Sequence, residues 1–223
     1  MTLKEILDDW KSTFKEFLEL SNAEKGGISD VIAVRWVNEW QEETAIVTKN
    51  PRTEALANTN AGAAYDIPDD FLAMIKLELK ISGGDYESLD YKPYDLMETS
   101  YGKTWRDDDA SVPLVFTFPT QDVFMVHPKP NSANQGTNYF RMNYVYRPAV
   151  LSHRNMDLAP AIHPSYHRTA KFFLASRGHE FLGNPQMADR FIATWLESVK
   201  GRSVGRKDLI EGKVKAGKIM RWG

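Results

Sequence analysis

Leu3, Ile6, Leu7, Trp10, Phe14, Phe17 and Leu18 recur at helical spacing, while Lys4, Asp8, Asp9, Lys15 and Glu16 fall mostly between them. Such a stripe predicts an amphipathic helix from residue 2 onward, because one face can be buried and the other stays wet. Thr2 and Glu5 stand in capping-box relation at its start, where hydroxyl and carboxylate can satisfy exposed N–H groups. Gly26 and Gly27 break the pattern. Ser29 can then cap a second helix that carries Ile32, Ala33, Trp36, Val37 and Trp40 toward Asn50, where Pro51 stops it. Two helices joined by a short glycine turn are expected to pair antiparallel.

Residues 51–64 are small and polar without an apolar period, and are expected to form a loop. After Pro68 the period changes: Ile75, Leu77, Leu79 and Ile81 alternate with Lys76, Glu78 and Lys80, which predicts a strand with one wet face. Ser82-Gly83-Gly84-Asp85 should end it in a turn. Further extended segments are expected at 113–118, 122–127 and 139–147, the last with Phe140, Met142, Tyr144 and Tyr146 on one face. Helical signals return at His163 and Pro164, continue through Tyr166, Ala170, Phe173 and Leu174, and are expected to stop at Gly178. Asn184-Pro185 opens a last helix with Ala188, Phe191, Ile192, Trp195 and Val199 inward, which should end at Gly201. The fold class is therefore α+β: a helical bundle from N- and C-terminal helices, an inserted antiparallel β-rich lobe and an extended C-terminal arm. The expected boundaries are 1–64, 65–151, 152–200 and 201–223.

A chain of 223 residues with 42% hydrophobic and 26% charged content can bury a sizeable core. No cationic start leads into an apolar run, and stretches such as Val112 to Phe118 are too short to span a bilayer, so neither a signal peptide nor membrane insertion is expected. The absence of cysteine removes disulfides and thiolate chemistry. The charge distribution changes the picture more. From Lys200 to Gly223 eight Lys/Arg face only Asp208 and Glu211, a net +6 that leaves −8 on the rest out of the total of −2. A basic terminal arm on an acidic body seeks an acidic partner.

Candidate chemistry is thin. His163 and His167 have a spacing that could share a metal, but no HExxH pattern accompanies them and nothing in the spacing demands a third ligand from His153, His179 or a carboxylate, so no metal is expected. Asp107, Asp108 and Asp109, and the looser set Asp66, Asp69 and Asp70, lack the glycine and distal glutamate of a calcium loop and are expected to be solvated loops. No nucleophile elbow, phosphate loop or dinucleotide fingerprint is present, so no catalytic residue and no cofactor are expected. Tyr86, Tyr91, Tyr94, Tyr101 and Trp105 are expected to be packing residues of the β lobe before they are a sugar or base platform. The tail is poor in large apolar residues apart from Leu209 and Ile210 until Ile219, Met220 and Trp222, and is expected to gain order from a partner's groove. The candidate binding residues are Arg202, Arg206, Lys207, Lys213, Lys215, Lys218, Ile219, Met220, Arg221 and Trp222.

Four stretches stand out together: Tyr65-Asp66-Ile67-Pro68-Asp69-Asp70-Phe71, His127-Pro128-Lys129-Pro130-Asn131, the strand Tyr139 to Arg147 leading into Pro148-Ala149-Val150-Leu151, and Phe172-Phe173-Leu174-Ala175. In these stretches and in its layout the chain resembles the head-to-tail adaptor proteins of tailed phages, of the tail tubular protein A type. The resemblance implies a virion structural protein of the neck, assembled in the host cytoplasm, that forms a dodecameric ring. The bundle and arm would dock to the portal protein, the β lobe would receive the tail or nozzle protein, and DNA would pass through the lumen without specific binding. Two other readings stand beside it: a virion-associated cell-wall or polysaccharide hydrolase, suggested by the tyrosines and free carboxylates, and a nucleic-acid-binding module using the basic tail.

Overall fold

Thr2 Oγ1 accepts from the Glu5 N–H at 3.2 Å and Glu5 Oε2 accepts from the Thr2 N–H at 2.8 Å, so the capping box read from the sequence starts helix α1 (Leu3–Thr13). The computed structural model describes residues 1–14, 28–81 and 84–210, the side chains of 203–210 excepted. Phe17, Leu18, Gly26 and Gly27 lie outside the described residues.

The chain divides into two compact units: residues 1–51 with 148–223, and residues 52–147. In the first, α1 buries Leu3, Ile6, Leu7 and Trp10. Helix α2 (Asp30–Thr48) starts at Ser29, whose side chain accepts from the Ile32 N–H, and ends at Lys49 in the left-handed conformation. The chain next enters helix α4 (Ala170–Phe181) through a 3-10 turn, Pro164–Thr169, capped by the His163 side chain, and then the long helix α5 (Pro185–Ile210). Helix α3 (Met97–Tyr101) belongs to the other unit. Helix α4 packs along α5 and also touches α1 and α2. Lys11–Asp30 at 2.7 Å, Lys171–Asp9 at 3.5 Å and Arg177–Glu39 at 3.1 Å join these helices at the rim of an aromatic core in which Trp10 meets Trp36 edge-on.

Both helix stops expected at glycines 178 and 201 are corrected. Gly178 is buried inside α4, and the chain turns instead at Gly183, whose φ of 74° suits a residue without Cβ. Helix α5 runs through Gly201, because one exposed glycine weakens a helix without breaking it.

The second unit holds two four-stranded sheets. One has the order β1-β8-β3-β4 and is antiparallel throughout; the other has the order β2-β7-β6-β5, with β5 and β6 parallel. The strands are β1 (Arg52–Thr59), β2 (Ala64–Asp66), β3 (Phe71–Lys80), β4 (Tyr86–Ser88), β5 (Asp90–Tyr91), β6 (Val115–Thr117), β7 (Val123–His127) and β8 (Gly136–Tyr146). Leu77, Leu79, Phe140, Met142 and Tyr144 from the first sheet share one core with Tyr65, Phe116, Phe124 and Val126 from the second. At its centre the rings of Tyr65, Phe124 and Phe140 meet pairwise at 4.9 to 5.6 Å.

Residues 52–59, expected as loop, are strand β1, in register with β8 from Arg52↔Val145 to Ala57↔Phe140. Its inward positions include Ala55 and Ala57, too small to signal burial, while Leu56 lies 48% exposed on the outer side. The alternation of β3 is also displaced. A bulge between Met74 and Lys76 leaves Ile75 without a partner on β8, so Met74, not Ile75, packs on the core together with Leu77 and Leu79.

Candidate docking surfaces

The expected wet face of β3 is not wet at Glu78, which is only 3% exposed. Its carboxylate accepts from Arg141 Nε at 2.6 Å and Asn143 Nδ2 at 3.3 Å on the neighbouring β8, and is paired with Lys76. Arg141 in turn lies 4.2 Å over the Tyr86 ring. The hydrogen bond from Arg141 holds the Glu78 carboxyl below its usual range despite burial, with Lys76 acting in the same direction. The outer face of this sheet is thus a cross-strand charge network, an arrangement that β alternation cannot distinguish from a solvated face.

The first acidic cluster falls apart structurally into different roles. Asp70 accepts the Tyr144 hydroxyl at 2.8 Å, and burial together with this carboxylate pushes Tyr144 up to about 12. Asp66 and Asp69 remain exposed, and with Asp122 they edge an open groove of about 940 Å³. Ile67, Phe71, Leu72, Met74 and Phe118 supply its apolar lining, and Thr120, Gln121 and the cation Arg147 complete it. This groove runs beside β3 where β4 does not reach, since β4 pairs only with Glu78 to Lys80. In the second cluster Asp108 lies 3.6 Å from His127, a buried imidazole among Tyr101 and Trp105 whose burial pushes its pKa down. Trp105 is buried, Tyr94 and Tyr101 pack around it, and Tyr91 is 57% exposed, so the tyrosines divide between core and surface.

His163 and His167 do not converge. His163 Nδ1 accepts from the Ser165 N–H at 3.2 Å, while buried His167 donates from Nε2 to the Ile162 carbonyl at 2.7 Å and meets the N-terminal ammonium through Nδ1 at 3.0 Å. Burial holds His167 below the ordinary histidine value. Among the described residues no group of three or more His, Asp or Glu is placed to hold a metal ion. No helix among them is long and apolar enough to cross a membrane.

Of the candidate arm residues, Arg202 is exposed on α5 and its guanidinium donates to the Ser165 carbonyl at 2.6 Å. Arg206 and Lys207 lie in the backbone of the last turns of α5. Lys213, Lys215, Lys218, Ile219, Met220, Arg221 and Trp222 lie outside the described residues.

A family model described as SU10 adaptor protein matches residues 1–208. The chain belongs to this family of phage head-to-tail adaptors. No curated protein matches it. In this SU10 family member the match takes in both units and nearly all of α5, and it agrees with the resemblance carried by the segments around Tyr65, His127, Tyr139 and Phe172. Sequence reasoning missed the polar staples of this adaptor. Asn38 brackets Leu151, accepting its N–H at 2.8 Å and donating to its carbonyl at 3.0 Å, and Gln41, 1% exposed, accepts from the Ala161 N–H at 3.0 Å. The only available sign was two polar residues near the stripe of α2, which helical periodicity reads as its wet flank.

Proposed function

We propose that this adaptor assembles as a dodecameric ring in the virion neck, between portal and tail, with DNA passing through its lumen. The observation that carries the reading is the adaptor family match over residues 1–208. Assembly takes place in the host cytoplasm, and the role assigned is structural, without a catalytic step, a cofactor or a membrane. The charge pattern supports the same reading. Residues 1–199 carry −8, which disfavours adhesion of passing DNA, and residues 200–223 carry +6, which favours a grip on an acidic neighbour.

The portal-facing residues in this proposal are Arg202, Arg206, Lys207, Lys213, Lys215, Lys218, Ile219, Met220, Arg221 and Trp222, with Trp222 and Arg221 as anchors of the kind that dominate interfaces. The tail or nozzle protein is received by the β lobe. Symmetry lets a weak individual contact hold a whole ring, because each added copy raises the effective concentration of the next. Removing residues 211–223 keeps α5 intact and is expected to abolish co-purification with the portal protein. Undiminished co-purification overturns the role of the arm.

A further inference from the structure

The groove edged by Asp66, Asp69 and Asp122 joins three properties that suit one kind of occupant. Three carboxylates against the single cation Arg147 give it a negative balance, about half of its lining is apolar, and among the described residues no strand pairs with β3 on that side before Glu78. An uncovered strand edge offers N–H and C=O groups to an extended peptide, and alternating pockets then choose its side chains. The unit that contains it is itself acidic, with nine Lys/Arg against fourteen Asp/Glu over residues 52–147, a net −5. The complementary segment lies in the same chain. Lys213-Val214-Lys215-Ala216 alternates cation with small apolar residue, and Lys218, Ile219, Met220, Arg221 and Trp222 add two further cations and three large apolar side chains. Over 213–216 the period-two alternation is the pattern of a strand with one apolar and one charged face, and Gly217 shifts its phase before Lys218.

We infer that the groove beside β3 takes the segment Lys213 to Trp222 of a second copy as an added strand. The inference rests on the proposed use of the arm in assembly and gives that arm a second acceptor: the groove of a neighbour while the protein is alone, the portal once it is met. The portal therefore has to displace a contact of the same chemistry, which couples release of the arm to docking.

The test uses the full-length chain with Lys213, Lys215 and Lys218 each changed to Glu, which frees the groove, and a labelled synthetic peptide of residues 211–223 as probe. Anisotropy is expected to show saturable binding that weakens at least tenfold when Asp69→Lys and Asp122→Lys are added. A peptide N-methylated at alternate amides, which needs no further variant, is expected to lose binding to the same extent because it cannot extend the sheet. Hydrogen exchange of wild-type protein is expected to slow over residues 71–76 as concentration, and with it sedimentation mass, rises. No peptide binding, equal binding to the Asp69→Lys/Asp122→Lys protein, or equal binding of the N-methylated peptide overturns the inference. So does protection of 71–76 in a protein that stays monomeric, which means each arm fills its own groove. Any of these leaves the portal co-purification test untouched, so the two readings fail separately.

Discussion

Asn38 illustrates how much a single polar side chain can settle in this protein. Its amide satisfies both backbone groups of Leu151, in a stretch of chain that has no ladder of its own. Asn38→Ala leaves these groups unpaired, and the expected loss is about 1–3 kcal/mol, read as a fall in denaturant midpoint. Glu78 acts through charge. Because its folded pKa is held below the ordinary value, its contribution is present above about pH 4.5 and is lost as the pH falls toward the lowered folded value. Glu78→Gln is expected to lower stability at neutral pH and to flatten the acid limb; an unchanged limb contradicts the role of the Arg141 pair. Tyr144 works with the opposite sign, since its pKa is raised from 10.0 to about 12. Its contribution is complete below pH 10 and drains away toward pH 12, so Tyr144→Phe is expected to remove that part of the alkaline loss in a thermal melt.

At the scale of elements, glycine substitutions give a paired test. Gly201 lies within α5, where an added Cβ meets nothing within 4 Å, so Gly201→Ala is expected to stabilise by about 0.5–1 kcal/mol. Gly183 has a φ of 74°, and alanine there is expected to destabilise although space is equally open. Opposite shifts in melting temperature are the expected result, and equal signs contradict the course of α5. The same pair explains what could be read in advance. Caps and stripes were legible at Thr2, Ser29, Pro164 and Asn184 because local hydrogen bonding and burial act there together. Stops at Gly178 and Gly201 were not, because packing around buried Gly178 carries α4 onward and a single exposed glycine at 201 weakens α5 without ending it. Strand β8 was legible from Phe140, Met142 and Tyr144, whereas β1 was hidden by Ala55 and Ala57, whose burial leaves no hydrophobic signature. The groove beside β3 was hidden for a different reason: it depends on which strand stops short, and that is a property of pairing that no single segment carries.

At the scale of the whole molecule, residues 1–199 carry −8 and residues 200–223 carry +6, so the arm-to-groove contact proposed above would bring opposite charges together. Association driven by these charges is expected to weaken steeply between low and physiological salt, since the Debye length shrinks to about 8 Å at 0.15 M ionic strength. Salt-independent assembly would place the contacts in apolar surface instead. The head-to-tail role is most directly tested by native mass measurement of the purified protein, alone and mixed with its portal protein. Masses that rise with concentration are expected when the protein is alone and, on mixing, one complex carrying one adaptor copy for each portal subunit. Two unshared masses in the mixture, with the adaptor unchanged at every ratio, would contradict it.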